Sequence, residues 1–90
     1  MTRFGLGRLL TTPGALDAFE RNEQDPLAFI GRHANGDWGE LDPEDRASNL
    51  YAIGRQLRLL SAYALKDGTK FWIITEADRS ATTVLLPEEY

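Results

Sequence analysis

Residues 76–80, with the sequence EADRS, place two carboxylates, a guanidinium and a hydroxyl between two apolar runs. Carboxylates can bind a metal ion or a basic partner, and an arginine beside hydroxyls is typical of anion binding. The alternative is a turn that satisfies itself, in which Asp78 caps backbone N–H groups and Arg79 pairs with Glu76. Self-satisfied turns are common in proteins, but polar groups converging on a loop also favour binding. The candidate binding residues here are Glu76, Asp78, Arg79 and Ser80.

A second candidate site surrounds the only histidine, His33, which precedes Asp37 by four positions and Trp38 by five. A histidine with a carboxylate could form an acid/base pair or bind a metal ion. A histidine near a helix C-terminus is more often a favourable charge on the helix dipole, and Asn-Gly-Asp is ordinary turn chemistry. Trp38 is predicted to close the edge of the core. We therefore expect no catalytic residue, metal or cofactor, and keep His33, Asp37 and Trp38 as candidate binding residues.

Three capping residues followed by proline mark predicted helix starts, at Thr12, Asp25 and Asp42. The capping oxygen accepts hydrogen bonds from free N–H groups of the first turn, and proline at the first helical position loses no bond. The predicted helices run from about Pro13 to Arg21, Pro26 to Ala34 and Pro43 to Ile53. Their apolar residues predict core faces at Leu16 and Phe19, then at Leu27, Phe29, Ile30 and Ala34, and finally at Ala47, Leu50 and Tyr51.

The sequence changes from a helical period to alternation after Gly54. Residues 56–65 alternate, and residues 69–75 and 81–87 are rich in β-branched and aromatic side chains, which predicts a three-stranded antiparallel meander. Residues 3–11 also alternate and predict a fourth strand. The expected fold is one α+β domain over residues 1–90, in the order β-α-α-α-β-β-β. Its three short helices pack on one face of an antiparallel sheet of three to four strands.

Composition and charge narrow the possible functions. The chain has no cysteine, which excludes disulfides, thiolate metal sites and cysteine nucleophiles. Its net charge is −4, and nine of its fourteen acidic residues lie in residues 12–46, which disfavours direct binding to DNA or to an anionic membrane. No segment has the apolar length of a signal peptide or a membrane span, so we expect a soluble cytoplasmic protein. The sequence leaves the oligomeric state open.

Several stretches resemble one family over essentially the whole chain: PGAL, HANGDWGELDPED, RLLSAY, WIITEADRS and TTVLLPEEY. The family consists of short, uncharacterised bacterial proteins of plasmids, phages and integrated mobile elements, labelled plasmid-related or sometimes type I restriction endonuclease subunit M. A modification subunit needs a doubly wound domain with a Gly-rich loop and an Asn-Pro-Pro-aromatic motif for the flipped base. This chain has neither motif, so we attribute no methyltransferase activity to it.

Two classes of function remain. The first is a small accessory or anti-defence protein of mobile elements that binds a host or plasmid-encoded protein without catalysis, through its acidic helices or residues 76–80. The second is a small hydrolase or nuclease in which His33 works with Asp37, Glu76 or Asp78. The first is favoured, because the chain contains no phosphate loop, nucleophile elbow or His-Glu-x-x-His motif and only one histidine.

Overall fold

The computed structural model describes residues 2–90 and contains three α-helices, four β-strands and a final 3₁₀ turn. The strands are β1 (Arg8–Thr11), β2 (Leu59–Ala64), β3 (Lys70–Thr75) and β4 (Ala81–Leu85), and the helices are α1 (Pro13–Arg21), α2 (Pro26–Ala34) and α3 (Pro43–Ile53). The α+β class and the predicted order β-α-α-α-β-β-β are confirmed. None of the helices in this described part is long and apolar enough to cross a lipid bilayer.

The four strands form one sheet in the order β1-β4-β3-β2. The β2, β3 and β4 strands form the predicted antiparallel meander, with Ser61 opposite Ile73 and Ile73 opposite Val84. The β1 strand pairs in parallel with β4, so the sheet is mixed and the prediction of antiparallel pairing throughout is corrected at β1. Parallel neighbours need a long connection, and the segment between β1 and β4, which contains the three helices, β2 and β3, provides it.

The three predicted helix starts are confirmed. The side chain of Thr12 accepts from the N–H of Ala15, that of Asp25 from Leu27, and that of Asp42 from Asp45. Each capping residue is extended and is followed by proline, as expected for a chain that turns into a helix at that point. The helix bounds in the structure therefore coincide with those predicted from sequence.

The main core lies between the sheet and the first two helices. From the helices it buries Ala15, Ala18, Phe19 and Ile30, and from the sheet side Tyr63, Leu65, Phe71, Ile73 and Val84. In α1 the buried stripe has the spacing i, i+3, i+4, which brings the two small alanines against the sheet. That register leaves Leu16 47% exposed, and Leu27 in the first turn of α2 is 61% exposed, so the predicted core positions of both leucines were wrong.

The α3 helix packs beside the sheet edge, contrary to its predicted core face. Leu50 and Tyr51 are 59% and 56% exposed, whereas Asn49 is buried. The Asn49 amide donates to the carbonyl of Leu60 in β2 at 2.6 Å, and its oxygen accepts from the N–H of Leu60 at 3.1 Å. A side chain therefore completes the hydrogen bonding of an edge strand, which explains why the buried position is polar.

The same edge of β2 is covered further along by residues 38–40. The N–H of Ala62 donates to the carbonyl of Trp38 at 3.1 Å, and the N–H of Glu40 donates to the carbonyl of Ala62 at 2.6 Å. Gly39 has a φ of +71°, and a Cβ there would lie 2.0 Å from the Ala62 carbonyl oxygen. Only glycine allows this close approach, so the loop after α2 closes the β2 edge.

Asn49→Ala should lower the free energy of unfolding by about 1–2 kcal/mol, because the N–H and C=O of Leu60 lose their partners. Alanine has a higher helix propensity than asparagine, so the measured loss of stability understates the contribution of the two hydrogen bonds. The matched control is Leu50→Ala at the neighbouring exposed position, which should stay within about 0.5 kcal/mol of the parent in urea denaturation. Equal effects of the two substitutions would contradict the edge position of α3.

Candidate interaction surface

His33 lies in the fully buried interior, where polar side chains form a continuous hydrogen-bonded chain. Its Nδ1 is 2.5 Å from the hydroxyl of Ser61 in β2, and its Nε2 is 2.8 Å from the hydroxyl of Thr75 in β3. The hydroxyl of Thr75 is 2.8 Å from that of Thr82 in β4, which donates to the carbonyl of Leu6 at 2.7 Å. We call Ser61, His33, Thr75, Thr82 and the Leu6 carbonyl the polar chain.

The last acceptor of the polar chain fixes the direction of every hydrogen bond in it. A carbonyl only accepts, so the single hydroxyl proton of Thr82 goes to Leu6. Thr82 must then accept from Thr75, and Thr75 must accept from the Nε2–H of His33. A neutral imidazole with its proton on Nε2 leaves Nδ1 as the acceptor for the Ser61 hydroxyl.

Two aromatic rings cover His33. The ring centroids of Phe4 and Trp38 lie 5.2 Å and 5.7 Å from that of the imidazole, both in edge-to-face geometry. Burial lowers the pKa of His33 to about 4. The histidine is therefore a neutral structural group at physiological pH, and the predicted role as a charge on the helix dipole was wrong because the side chain points into the core.

The carboxylate expected beside His33 has a different partner. Asp37 pairs with Arg32 at 2.7 Å, and the hydrogen bond from Arg32 is the main cause that lowers the pKa of Asp37. Trp38 is 4% exposed and packs with Leu41, which confirms its predicted place at the edge of the core. Of the two candidates near His33 in sequence, the tryptophan covers the histidine and the aspartate faces outward.

Residues 76–80 form a corner between β3 and β4. Asp78 accepts from the N–H of Ser80 at 3.0 Å, as predicted, and the hydrogen bonds from Ser80 lower the pKa of Asp78. Glu76 lies 3.6 Å from Arg58, which takes the place of the expected pairing with Arg79. The polar groups of the corner are thus directed to different neighbours and do not surround one common point.

Arg79 uses its guanidinium to hold backbone carbonyls of two segments. It donates to Leu57 at 2.7 Å and to Ala52 at 3.2 Å, and also to the two corner residues Glu76 and Ala77. Its backbone has a φ of +61°, a conformation that is costly for a non-glycine residue and persists when the surroundings enforce it. Arg79 therefore joins the corner to the C-terminal end of α3.

A surface groove of about 450 Å³ lies where Arg79 holds the chain, lined by Ala47, Ser48, Tyr51, Ala52, Leu57 and Arg58. We call it the α3 groove. Tyr51 and Leu57 are 56% and 47% exposed, and the Arg55 guanidinium lies 3.9 Å from the centre of the Tyr51 ring. Exposed aromatic residues and arginines are both enriched in protein–protein interfaces relative to the rest of the surface.

Sequence reasoning missed the α3 groove because it assigned Tyr51 to the core. The signal that could have revealed it is Asn49. An asparagine can satisfy the backbone of an edge strand, and if Asn49 faces the sheet, its neighbours Leu50 and Tyr51 must face outward. No protein-family model, curated protein or solved structure matches the chain. Within residues 2–90 no group of three or more His, Cys, Asp or Glu side chains converges as metal ligands would.

The buried histidine should make stability depend on pH. Above about pH 6.5 the folded and unfolded chains both hold His33 neutral, so it has no effect there. Between that pH and about pH 4, the value to which burial lowers its pKa, the unfolded chain binds a proton that the folded chain does not. The free energy of unfolding should therefore fall as the pH falls, by about 3 kcal/mol from this group.

Urea denaturation from pH 7.5 to 4 of the parent and of His33→Gln measures this contribution. The carboxylates titrate in both proteins, so the difference between the two pH profiles isolates His33. The variant should be less stable at pH 7.5 and should show the shallower decline. Parallel profiles would contradict the buried neutral state.

Arg79→Ala should lower the free energy of unfolding by about 3 kcal/mol, because four carbonyls lose a charged donor. Asp78→Ala in the same corner removes one exposed cap and should have a clearly smaller effect than Arg79→Ala. Thermal and urea denaturation of both variants compare the two roles. An Arg79→Ala protein as stable as Asp78→Ala would show that the carbonyl contacts do not order the corner.

Proposed function

We propose that this protein acts by binding another protein through the α3 groove, without catalysis of its own. The observation that carries the proposal is the cluster of exposed apolar side chains on a short helix that is fixed at both ends. Asp42 caps the start of α3, and Arg79 holds its last turn through the carbonyl of Ala52. A rigid apolar surface loses little conformational entropy on binding, which favours affinity.

The use of His33 in the polar chain supports a non-catalytic function over the hydrolase or nuclease alternative. A general base must reach the proton that it removes. Both imidazole nitrogens are already hydrogen-bonded inside the core, to Ser61 and Thr75, and the ring is fully buried. The nearest candidate acid in sequence, Asp37, is engaged by Arg32.

The composition of the groove defines the partner's chemistry. Tyr51 and Leu57 provide apolar contact area, and Ala47 and Ala52 leave room for an inserted side chain. Arg55 lies beside the groove and Arg58 lines it, and Arg58 contacts two other residues, Glu76 at 3.6 Å and the hydroxyl of Tyr90. The proposed partner therefore presents an aliphatic or aromatic side chain flanked by carboxylates.

The sequence resemblance described above supports one source for the partner. Short proteins of plasmids, phages and integrated elements work among the proteins of the host cell. We propose a host or plasmid-encoded protein as the partner, with the chain acting as an accessory or anti-defence factor. Residues 76–80 contribute to this function by positioning Leu57 and the end of α3, through the donation from Arg79 to the Leu57 carbonyl.

The test is affinity capture from bacterial lysate with the parent, Ala47→Trp and Ala28→Trp as baits. Both alanines are exposed on helices, but only Ala47 lines the groove, so tryptophan at 47 fills it while tryptophan at 28 controls for added apolar surface. Ala47→Trp should fold normally and bind the captured partner about 30-fold or more weakly, the loss expected for a blocked anchor site. Equal capture by the two tryptophan variants would contradict the proposal.

A further inference from the structure

The two edges of the sheet differ. The β2 edge is closed by residues 38–40 and by Asn49, as described above. At the other edge, β1 pairs only with β4 among the described residues, and its outer side faces no further strand. Leu9 and Leu10 in this strand are 47% and 40% exposed. An open edge with exposed leucines is a template for pairing with another strand.

The backbone groups that β1 offers outward follow from its pairing with β4. The N–H of Arg8 donates to Ser80 and that of Thr12 to Val84, each at 3.0 Å. In a parallel ladder alternate residues of one strand bond to the same neighbour. Arg8, Leu10 and Thr12 therefore bond inward, and the N–H and C=O groups of Leu9 and Thr11 point away from the sheet.

This pattern is self-complementary about a two-fold axis. In antiparallel pairing, two residues with outward groups exchange a pair of hydrogen bonds. If Leu10 lies on the axis opposite Leu10 of a second copy, Leu9 of each copy faces Thr11 of the other, and all outward groups of both residues are bonded. A register shifted toward the N-terminus would pair Gly7, whose φ of +65° is not that of a strand.

Neither the charge of β1 nor the sheet face beside it opposes pairing with a second copy. Arg8 is the one ionisable residue of β1, and the two copies of Arg8 would be four residues apart along the strand direction, roughly 13 Å, beyond the Debye length. Leu10 shares a sheet face with Thr83, Ile74 and Leu60, so contact across the axis would extend that face. Because the β2 edge is closed, pairing of this kind stops at two copies.

We propose that the protein forms a two-fold symmetric dimer in which the β1 strands of two copies pair antiparallel with Leu10 on the axis, giving one continuous eight-stranded sheet. The interface is small, so the dimer is concentration-dependent. This assembly is separate from the proposed binding through the α3 groove, and either can fail without the other.

Single cysteines test the register, because the chain has none of its own. Opposite residues of a non-hydrogen-bonded pair have Cα atoms about 4.5 Å apart, within the range of a disulfide. Leu10→Cys should therefore form a covalent dimer under mild oxidation. Leu9→Cys should not, because its own copy would be about 8 Å away. Leu27→Cys, exposed on α2, gives the rate of random collision.

Sedimentation velocity from about 10 µM to about 1 mM tests the association itself. The parent should shift from monomer toward dimer over this range. Leu9→Pro removes only an outward N–H, which edge strands tolerate, and should be monomeric throughout. Leu10→Lys places two ammonium groups on the axis and should weaken association at least ten-fold, whether or not the proline variant folds.

Three results would overturn the proposal. One is a parent protein that stays monomeric at about 1 mM. The β1 edge could then pair only with a strand of another protein. Another is Leu10→Cys oxidising no faster than Leu27→Cys. The third is faster disulfide formation at Leu9 than at Leu10, which would replace the proposed register.

Discussion

The polar chain connects α2 to the sheet through a continuous line of buried hydrogen bonds. It starts at Ser61 in β2, passes through His33 of α2 to Thr75 in β3 and Thr82 in β4, and ends at the carbonyl of Leu6 before β1. Buried polar groups are costly unless each finds a partner, and among the described residues no buried side-chain nitrogen or oxygen lacks one. The imidazole of His33 thereby links α2 directly to β2 and β3. Through Thr82 it is also linked to β4 and to the segment before β1.

Backbone N–H and C=O groups also need hydrogen-bond partners, and two side chains near the surface provide them. Asn49 completes one part of the β2 edge and Arg79 holds the carbonyls at the end of α3. Because these polar side chains point inward, Tyr51 and Leu57 are left outside, and the α3 groove results. The corner at residues 76–80 supports the neighbouring α3 groove, because Arg79 holds the carbonyls of Ala52 and Leu57. At the β1 edge no side chain or loop of the described residues completes the hydrogen bonding in this way.

Local signals made most of the fold predictable. The pairs Thr12-Pro13 and Asp42-Pro43 defined helix starts because capping acts within one turn, and alternation identified the strands because their period is two. Long-range partners were not predictable in this way. Nothing local in the sequence states that Asn49 meets Leu60, that β1 pairs in parallel with β4, or that a lone histidine finds hydroxyls on two strands. Those features depend on residues far apart in the chain.

In this fold His33 is a neutral, fully buried member of the core with its proton on Nε2. Long-range ¹H–¹⁵N correlation NMR of the imidazole tests it directly, since the chain has one histidine and its signals need no assignment. We expect a protonated Nε2 and an unprotonated, hydrogen-bonded Nδ1, unchanged from pH 8 down to about pH 5, because burial lowers the pKa of His33 to about 4. An imidazolium at pH 6, or a proton on Nδ1 at neutral pH, would contradict it.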